Sequence, residues 1–142
     1  MHIPEIHGQD GLGDIDYDAF GIRDVVPMQE ENAVLKLIEV LKENSDIELL
    51  TLGPLTNIAL AMHICPEIKK NIKHIVCMGG ADNLSGNTTK FAEFNFFCDP
   101  EAAAIVLREF DNTKITLSTW NLTVKNAIKG EAVKDFFLRK ET

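Results

Sequence analysis

The fold is decided by the stretch IELLTLGPLTNIALAMHI, which occupies residues 47–64. Its first six residues are mostly apolar and end at Gly53-Pro54, a pattern typical of a buried strand that enters a tight turn. Pro54 suits the first turn of a helix, and apolar residues then recur at helical spacing as far as Ile64. The stretch therefore predicts a strand, a turn and a helix in direct succession.

The same alternation continues on both sides of this stretch. Apolar periodicity and turn signals predict further elements: a helix over Met28–Asn44, a short helix over Glu67–Ile72, a strand over His74–Met78, a helix capped by Asp99 that runs to about Phe110, a strand over Lys114–Ser118 and a helix over Gly130–Arg139. Strands that alternate with helices indicate an α/β fold, a Rossmann-like and mostly parallel sheet with helices on both faces.

Two segments are predicted to be loops, residues 7–27 and residues 81–98. Both are polar and without a clear period, and loops of this length are more often functional than idle. In parallel α/β sheets, ligands bind beyond the carboxyl ends of the strands. Since the second loop follows the strand that ends at Met78, residues 79–98 lie where a ligand is expected.

Composition and charge restrict the class of protein. The chain has 142 residues, of which 45% are hydrophobic and 25% charged, and this predicts one folded globular domain over residues 1–142. The formal net charge of −8 argues against nucleic acid and anionic membrane surfaces as partners. The sequence has no apolar run of the length that a membrane-spanning helix needs.

Cysteine usage favours a reducing compartment. The three cysteines, Cys65, Cys77 and Cys98, form no CxxC pair and no Cys/His metal spacing, which argues against a zinc site. Cytoplasmic localisation is therefore favoured over secretion. Three Asn-x-Ser/Thr tripeptides, beginning at Asn83, Asn87 and Asn121, keep secretion open as the alternative.

The polar side chains of the second loop suit a sugar. Asn87, Glu93 and Asn95 provide two amides and one carboxylate, and these groups supply both donors and acceptors for a polyol. A carboxylate in such a place could also stabilise positive charge that develops on a ribosyl ring. On spacing alone, a solvated loop without a ligand is the stronger interpretation.

Longer motifs around this loop resemble a known family. GPLTNIA at 53–59, VCMGG at 76–80, AEFN at 92–95 and DPEAA at 99–103 follow one another in an order and at intervals that resemble the inosine–uridine preferring nucleoside hydrolases. HGQDGLG at residues 7–13 resembles an upstream loop of the same family. The resemblance implies calcium-dependent hydrolysis of the N-glycosidic bond of purine and pyrimidine ribonucleosides to base and ribose. It also implies a small-molecule nucleoside as partner, and homo-oligomers.

The resemblance assigns roles to residues of the loop and its neighbours. Asn87 resembles the amide that contacts the 5′-hydroxyl side of the ribose, and Glu93 and Asn95 resemble the pair that grips the sugar hydroxyls. Phe94 is then expected to pack beside this pair, and Met78 to line the floor of the sugar pocket. These five residues form the predicted ribose-binding set.

Two further residues are assigned by the resemblance. The backbone carbonyl of Leu52 matches a position that gives an oxygen ligand to calcium, and His7 resembles a histidine on the base-binding side. A carbonyl ligand tolerates any side chain, so leucine at this position is no objection.

The sequence also departs from the family pattern. The family opens with an Asp-x-Asp-x-Gly-x-Asp-Asp stretch that holds the metal, and the sequence contains no such stretch. Its nearest acidic run, Asp14 to Asp18, lies after the histidine loop and is interpreted as a solvated loop. The chain is therefore expected to be the central portion of the family domain, without a complete catalytic set, without retained calcium and inactive alone. A ribose- or nucleoside-binding paralogue, a truncated gene product and an unrelated α/β domain are the alternatives.

Overall fold

The computed structural model describes residues 7–10, 13–14, 30–83, 85–110 and 114–128. Contacts within the chain divide it into two units, Met1–Asn32 and Ala33–Thr142. The single domain over residues 1–142 stays a prediction. The helix predicted over Gly130–Arg139, and the acidic residues Asp16 and Asp18, lie outside the described residues.

The first unit contains the histidine loop. The backbone N–H of Gly13 donates to the carbonyl of His7 at 2.7 Å and closes the loop. The carboxylate of Asp14 accepts hydrogen bonds from the backbone N–H groups of Gln9 and Asp10, at 2.7 and 3.2 Å. Gly8 has a φ of +75°, and a Cβ built there would lie 2.7 Å from Cγ of Asp14. The glycine and the aspartate are therefore both explained by closure of this loop.

The second unit contains the sheet and its helices. In chain order the elements are α1 (Ala33–Glu43), β1 (Ile47–Thr51), α2 (Thr56–Ile64), a 3-10 helix (Pro66–Asn71), β2 (Ile72–Met78), α3 (Phe94–Cys98), α4 (Pro100–Glu109), β3 (Ile115–Ser118) and α5 (Trp120–Lys125). The strands lie in the order β1-β2-β3, and both neighbouring pairs are parallel. The predicted α/β fold with a parallel sheet is confirmed.

Several predicted boundaries need correction. The helix predicted from Met28 begins at Ala33, because Asn32 and the two acidic residues before it are typical of a helix N-terminus rather than of its interior. Strand β2 begins at Ile72, and the helix predicted just before it is a 3-10 helix. The loop predicted over 81–98 contains α3, and α5 was not predicted. Both helices are too short for an apolar period to show in the sequence.

The hydrophobic core lies on one face of the sheet. Leu49, Ile75, Cys77 and Ile115 project from the three strands into a cluster to which α1, α2 and α4 contribute their buried residues. The other face includes Leu50, which is 66% exposed. The helices whose packing is described cover the first face, and helices on the second face stay a prediction. None of the described helices is long and apolar enough to cross a membrane.

Candidate functional site

The carboxyl ends of β1 and β2 both lie beside one side chain, that of Asn95. Asn95 Nδ2 lies 3.0 Å from the carbonyl oxygen of Met78, 3.4 Å from the carbonyl oxygen of Leu52 and 3.2 Å from Sδ of Met78. A side-chain amide carries two N–H donors, so it can serve both strand ends at once. Asn95 is 8% exposed, and its Oδ1 accepts no hydrogen bond from the described residues.

The Glu93 carboxylate lies directly behind Asn95 and is 2% exposed. Its Oε1 accepts the backbone N–H of Asn95 at 2.8 Å, and its Oε2 accepts the N–H groups of Gly80 and Phe96 at 2.8 and 3.2 Å. A buried carboxylate is costly unless it is hydrogen-bonded, and these three amides meet that need. A carboxylate can accept about four hydrogen bonds, so one more donor can be accommodated.

The Asn87 side chain completes the N-terminus of α3. Its Oδ1 accepts the backbone N–H of Phe94 at 2.8 Å, and its Nδ2 has no partner among the described residues. Together with Glu93, it therefore satisfies the first three backbone N–H groups of α3, those of Phe94, Asn95 and Phe96. A helix of five residues is not stable by itself, so these two side chains hold in place the helix that carries Asn95.

The Gly79-Gly80 turn fits closely under α3. A Cβ at Gly79 would lie 2.5 Å from the ring of Phe96. Gly80 has a φ of +77°, in the region where only glycine is unstrained, and its N–H is one of the donors to Glu93. Both glycines are therefore part of the site and not only the end of a strand.

Two pKa shifts near the strand ends limit the chemistry. Burial raises the pKa of the Cys77 thiol, so this cysteine of β2 remains protonated at neutral pH and is not a nucleophile. The Thr56 hydroxyl, and after it the backbone N–H of Ala102, lower the pKa of Asp99, which remains ionised. Asp99 is the N-cap of α4 and bonds the first residue of α2.

The structure brings most of the predicted residues into one hydrogen-bonded set. Leu52, Met78, Asn87, Glu93 and Asn95 are linked directly or through α3, and Phe94 joins them through its backbone N–H. Glu93 and Asn95 are also the buried polar side chains of the described residues. His7 belongs to the first unit, so its expected contact on the base side stays a prediction.

The site includes residues that were not selected from the sequence. Gly80 and Phe96 were missed, although Gly80 lies within the VCMGG motif at 76–80. Thr56 was missed as well. Cues existed for Gly80 and Thr56, since glycine near a strand often marks close backbone approach and threonine near a helix N-terminus often forms a local side-chain hydrogen bond. Phe96 carried no such cue.

An apolar cavity of 580 Å³ lies beside this set. Phenylalanine side chains dominate its lining, together with Leu117 and Pro100, and Gly80 and Glu93 also border it. Neither Asn87 nor Asn95 does. The cavity therefore borders the polar site and includes only Glu93 of the three side chains that suit a sugar.

The described residues do not form a complete metal site. Calcium takes six to eight oxygen ligands, mostly carboxylates and carbonyls. Near Leu52 the structure provides that carbonyl and the Asn95 amide, and among the described residues no three His, Cys, Asp or Glu side chains cluster in a way that could hold a metal.

Comparison with known proteins gives a consistent result. Residues 1–142 match the family model described as inosine-uridine preferring nucleoside hydrolase. The chain is 38% identical over 123 residues to the inosine-uridine preferring nucleoside hydrolase of Crithidia fasciculata, covering 87% of this chain and 38% of that protein. It is 46% identical over 104 residues to the pyrimidine-specific ribonucleoside hydrolase RihB of Escherichia coli, covering 71% of this chain and 31% of that protein.

A solved structure shows the same fold. The purine-preferring ribonucleoside hydrolase from Gardnerella vaginalis superposes with a TM-score of 0.79 at 34% sequence identity, covering 92% of this chain and 40% of that one. Across these three proteins the chain spans 31% to 40% of the relative's length. The range matched by the family model, residues 1–142, contains the strand ends and α3.

Proposed function

The chain belongs to the inosine-uridine preferring nucleoside hydrolase family, and on this premise we propose that it binds the ribose of ribonucleosides and takes part in hydrolysis of their N-glycosidic bond. The observation that carries the proposal is the buried pair Glu93 and Asn95 at the carboxyl ends of β1 and β2. Buried polar side chains destabilise a fold unless their polar atoms form hydrogen bonds. A sugar-binding role supplies the reason for keeping them there.

The proposal divides the work among three side chains. Asn95 Oδ1 accepts a hydrogen bond from a ribose hydroxyl group, and Asn87 Nδ2 donates one to a ribose hydroxyl group. Both atoms are without partners among the described residues. Glu93 holds α3 and Gly80 in place and can accept one further hydroxyl donor. Phe94 and Met78 complete the proposed ribose-binding set.

The same carboxylate supports the proposed reaction. Cleavage of an N-glycosidic bond develops positive charge on the ribosyl ring. A buried carboxylate that is held by backbone N–H groups needs no reorganisation when that charge appears. We propose that Leu52 gives its carbonyl to a calcium ion whose carboxylate ligands come from outside the described residues.

The base is proposed to be a purine or a pyrimidine. The relatives named above include one inosine-uridine preferring, one pyrimidine-specific and one purine-preferring protein. The net charge of −8 supports a small neutral substrate rather than nucleic acid. Three free cysteines, two of them buried, support a reducing compartment such as the cytoplasm.

A second candidate function is ribonucleoside binding without cleavage. It is favoured by one observation, that Asn87 Nδ2 and Asn95 Oδ1 are without partners among the described residues, which suits binding of a ligand whether or not a bond is then broken. Under this alternative Asn87, Glu93 and Asn95 keep the same roles, and no bond is broken.

Release of reducing sugar from inosine and uridine, with added calcium, tests the two functions with the purified 142-residue chain. Calorimetry with the same nucleosides is run in parallel. We expect binding that is abolished in Asn95→Ala and unchanged in Asn57→Ala, an exposed asparagine of α2. We expect no sugar release by this chain alone. Turnover would refute the expected inactivity, and a folded chain that binds no nucleoside would refute the ribose site.

A further inference from the structure

A side-chain hydrogen bond joins the N-termini of α2 and α4. The hydroxyl of Thr56, the first residue of α2, donates to Oδ2 of Asp99, the N-cap of α4. The other oxygen of Asp99 accepts the backbone N–H of Ala102 at 3.0 Å. One carboxylate therefore has two separate tasks, one oxygen capping its own helix and the other bonding the neighbouring helix.

Along the sequence, each residue of this bond lies equally far from a residue of the candidate site. Thr56 follows Leu52 by four residues, and Asp99 follows Asn95 by four residues. Leu52 and Asn95 meet at 3.4 Å, through the Leu52 carbonyl and Asn95 Nδ2. That distance lies beyond the usual range for N–H···O hydrogen bonds, so this contact is too weak to hold the two segments together.

The bond between Thr56 and Asp99 is better suited to that task. Its acceptor is ionised, and hydrogen bonds to ionised acceptors are roughly twice as strong as neutral ones. Both partners lie at the ends of helices that pack against each other, so their positions are supported along the helix lengths. The segments that lead back to Leu52 and to Asn95 are only three residues long, so little slack separates the bond from the site.

We propose that Thr56 and Asp99 are a positioning pair that sets the distance between the Leu52 carbonyl and the Asn95 side chain. Neither residue touches the ligand. The pair fixes the orientation of Asn95, and with it the direction in which Asn95 Oδ1 faces the ribose. This last consequence rests on the proposed function, whereas the positioning itself does not.

Two variants remove the bond from opposite sides. Thr56→Val keeps the shape of the side chain and removes the hydroxyl. Asp99→Ser keeps an oxygen that can cap α4 but has no second oxygen for Thr56. Thr56→Ser retains the hydroxyl and is the conservative rescue. Glu109→Gln, which removes the ion pair with Lys69 at the other end of α4, is the control for general weakening of the helix.

The readout is the side-chain amide resonance of Asn95 in the 1H–15N NMR spectrum of the ligand-free chain. We expect Thr56→Val and Asp99→Ser to shift it in the same direction, the double variant to add little to either, and Thr56→Ser and Glu109→Gln to leave it in place. Folded Thr56→Val or Asp99→Ser protein with an unshifted Asn95 resonance would overturn the proposal. If Thr56→Val does not fold, the Asp99→Ser result decides, since its helix cap is intact.

A nucleoside titration of the same samples separates this proposal from the proposed function. We expect the affinity for inosine to fall in Thr56→Val and Asp99→Ser and to be kept in Thr56→Ser. If the wild-type chain binds no inosine while the Asn95 resonance still shifts as expected, the ribose site is refuted and the positioning pair stands. If inosine binds while the Asn95 resonance does not move, the positioning pair is refuted and the ribose site stands.

Discussion

The two turns that end β1 and β2 look alike in the sequence and differ in the structure. The chain leaves β1 through Gly53-Pro54, and a Cβ at Gly53 would meet nothing within 4 Å. The chain leaves β2 through Gly79-Gly80, where a Cβ at Gly79 would lie 2.5 Å from the Phe96 ring. The first turn directs the chain into α2, whereas the second is held by Glu93 and forms part of the site. A glycine after a strand therefore acquires a function from what packs over it.

The largest expected effect comes from removing the group that holds the second turn. Glu93→Ala should leave three backbone N–H groups, those of Gly80, Asn95 and Phe96, without their acceptor in a buried place. We expect the free energy of unfolding to fall by about 3 kcal/mol or more, since each unsatisfied buried donor costs about 1–3 kcal/mol. Urea unfolding followed by circular dichroism measures this.

Glu39→Gln is the control for this prediction, because Glu39 is exposed and pairs with Lys36 on the surface of α1. We expect it to change stability by less than about 0.5 kcal/mol. Equal effects of the two substitutions would show that the Glu93 carboxylate is not what holds the turn.

Alanine substitutions test the comparison of the turns directly. Gly79→Ala must displace the Phe96 ring, and we expect a loss of about 1–3 kcal/mol, the usual cost of overpacking. Gly53→Ala meets open space and should lie within about 0.5 kcal/mol of the wild type. Thermal and urea unfolding of both variants give the difference. A Gly53→Ala loss as large as that of Gly79→Ala would remove the distinction between the turns.

Asn87 separates the capping of α3 from ligand binding. Asn87→Asp keeps an oxygen for the backbone N–H of Phe94, so we expect nearly wild-type stability. Asn87→Ala removes that oxygen and should lose about 1 kcal/mol, as is usual for a lost cap. Both lack the Nδ2 donor, so calorimetry should show weaker nucleoside binding in both. If only the alanine variant binds weakly, then Asn87 acts solely through the helix.

The smallest expected effect concerns the stability of the fold in acid. The pKa of Asp99 lies below its ordinary value of 3.8, because the Thr56 hydroxyl and then the Ala102 N–H bond its ionised form. The unfolded chain therefore takes up the proton first. The stabilisation is complete above the ordinary pKa and is lost as the pH falls, from about pH 5 downward, through the lowered folded pKa.

Asp99→Ser has no titrating group at this position, so its stability should decline less steeply with acid. Urea midpoints measured across the acid range for both proteins give the two slopes. An equally steep decline in the variant would show that Asp99 contributes nothing to acid sensitivity.

The parallel sheet could be predicted because buried strands leave apolar runs in the sequence, whereas the ribose-binding role of the selected side chains stays a prediction. Apolar runs predicted the three strands, and Gly-Pro and Gly-Gly follow the first two of them. The motifs around Asn87, Glu93 and Asn95 selected side chains that the structure brings together. The helix α3 could not be predicted, since its first turn is capped by Asn87, seven residues before Phe94, and by Glu93. Local propensity does not record a capping bond from a side chain seven residues away.

The roles of single atoms were also beyond the sequence. Glu93 was predicted to grip the sugar, but its carboxylate accepts three backbone N–H groups and is first of all a support for Asn95 and Gly80. The bond between Thr56 and Asp99 joins residues 43 positions apart. Only packing of α2 against α4 brings them together.

A titration of the 15N-labelled chain with ribose, observed by 1H–15N NMR, tests directly whether the side chains at the strand ends bind the sugar. We expect saturable shifts in the side-chain amides of Asn87 and Asn95 and in the backbone amide of Gly80, with Asn57 on α2 unaffected. Shifts confined to other parts of the chain, or a folded chain whose spectrum does not respond to ribose, would contradict this expectation.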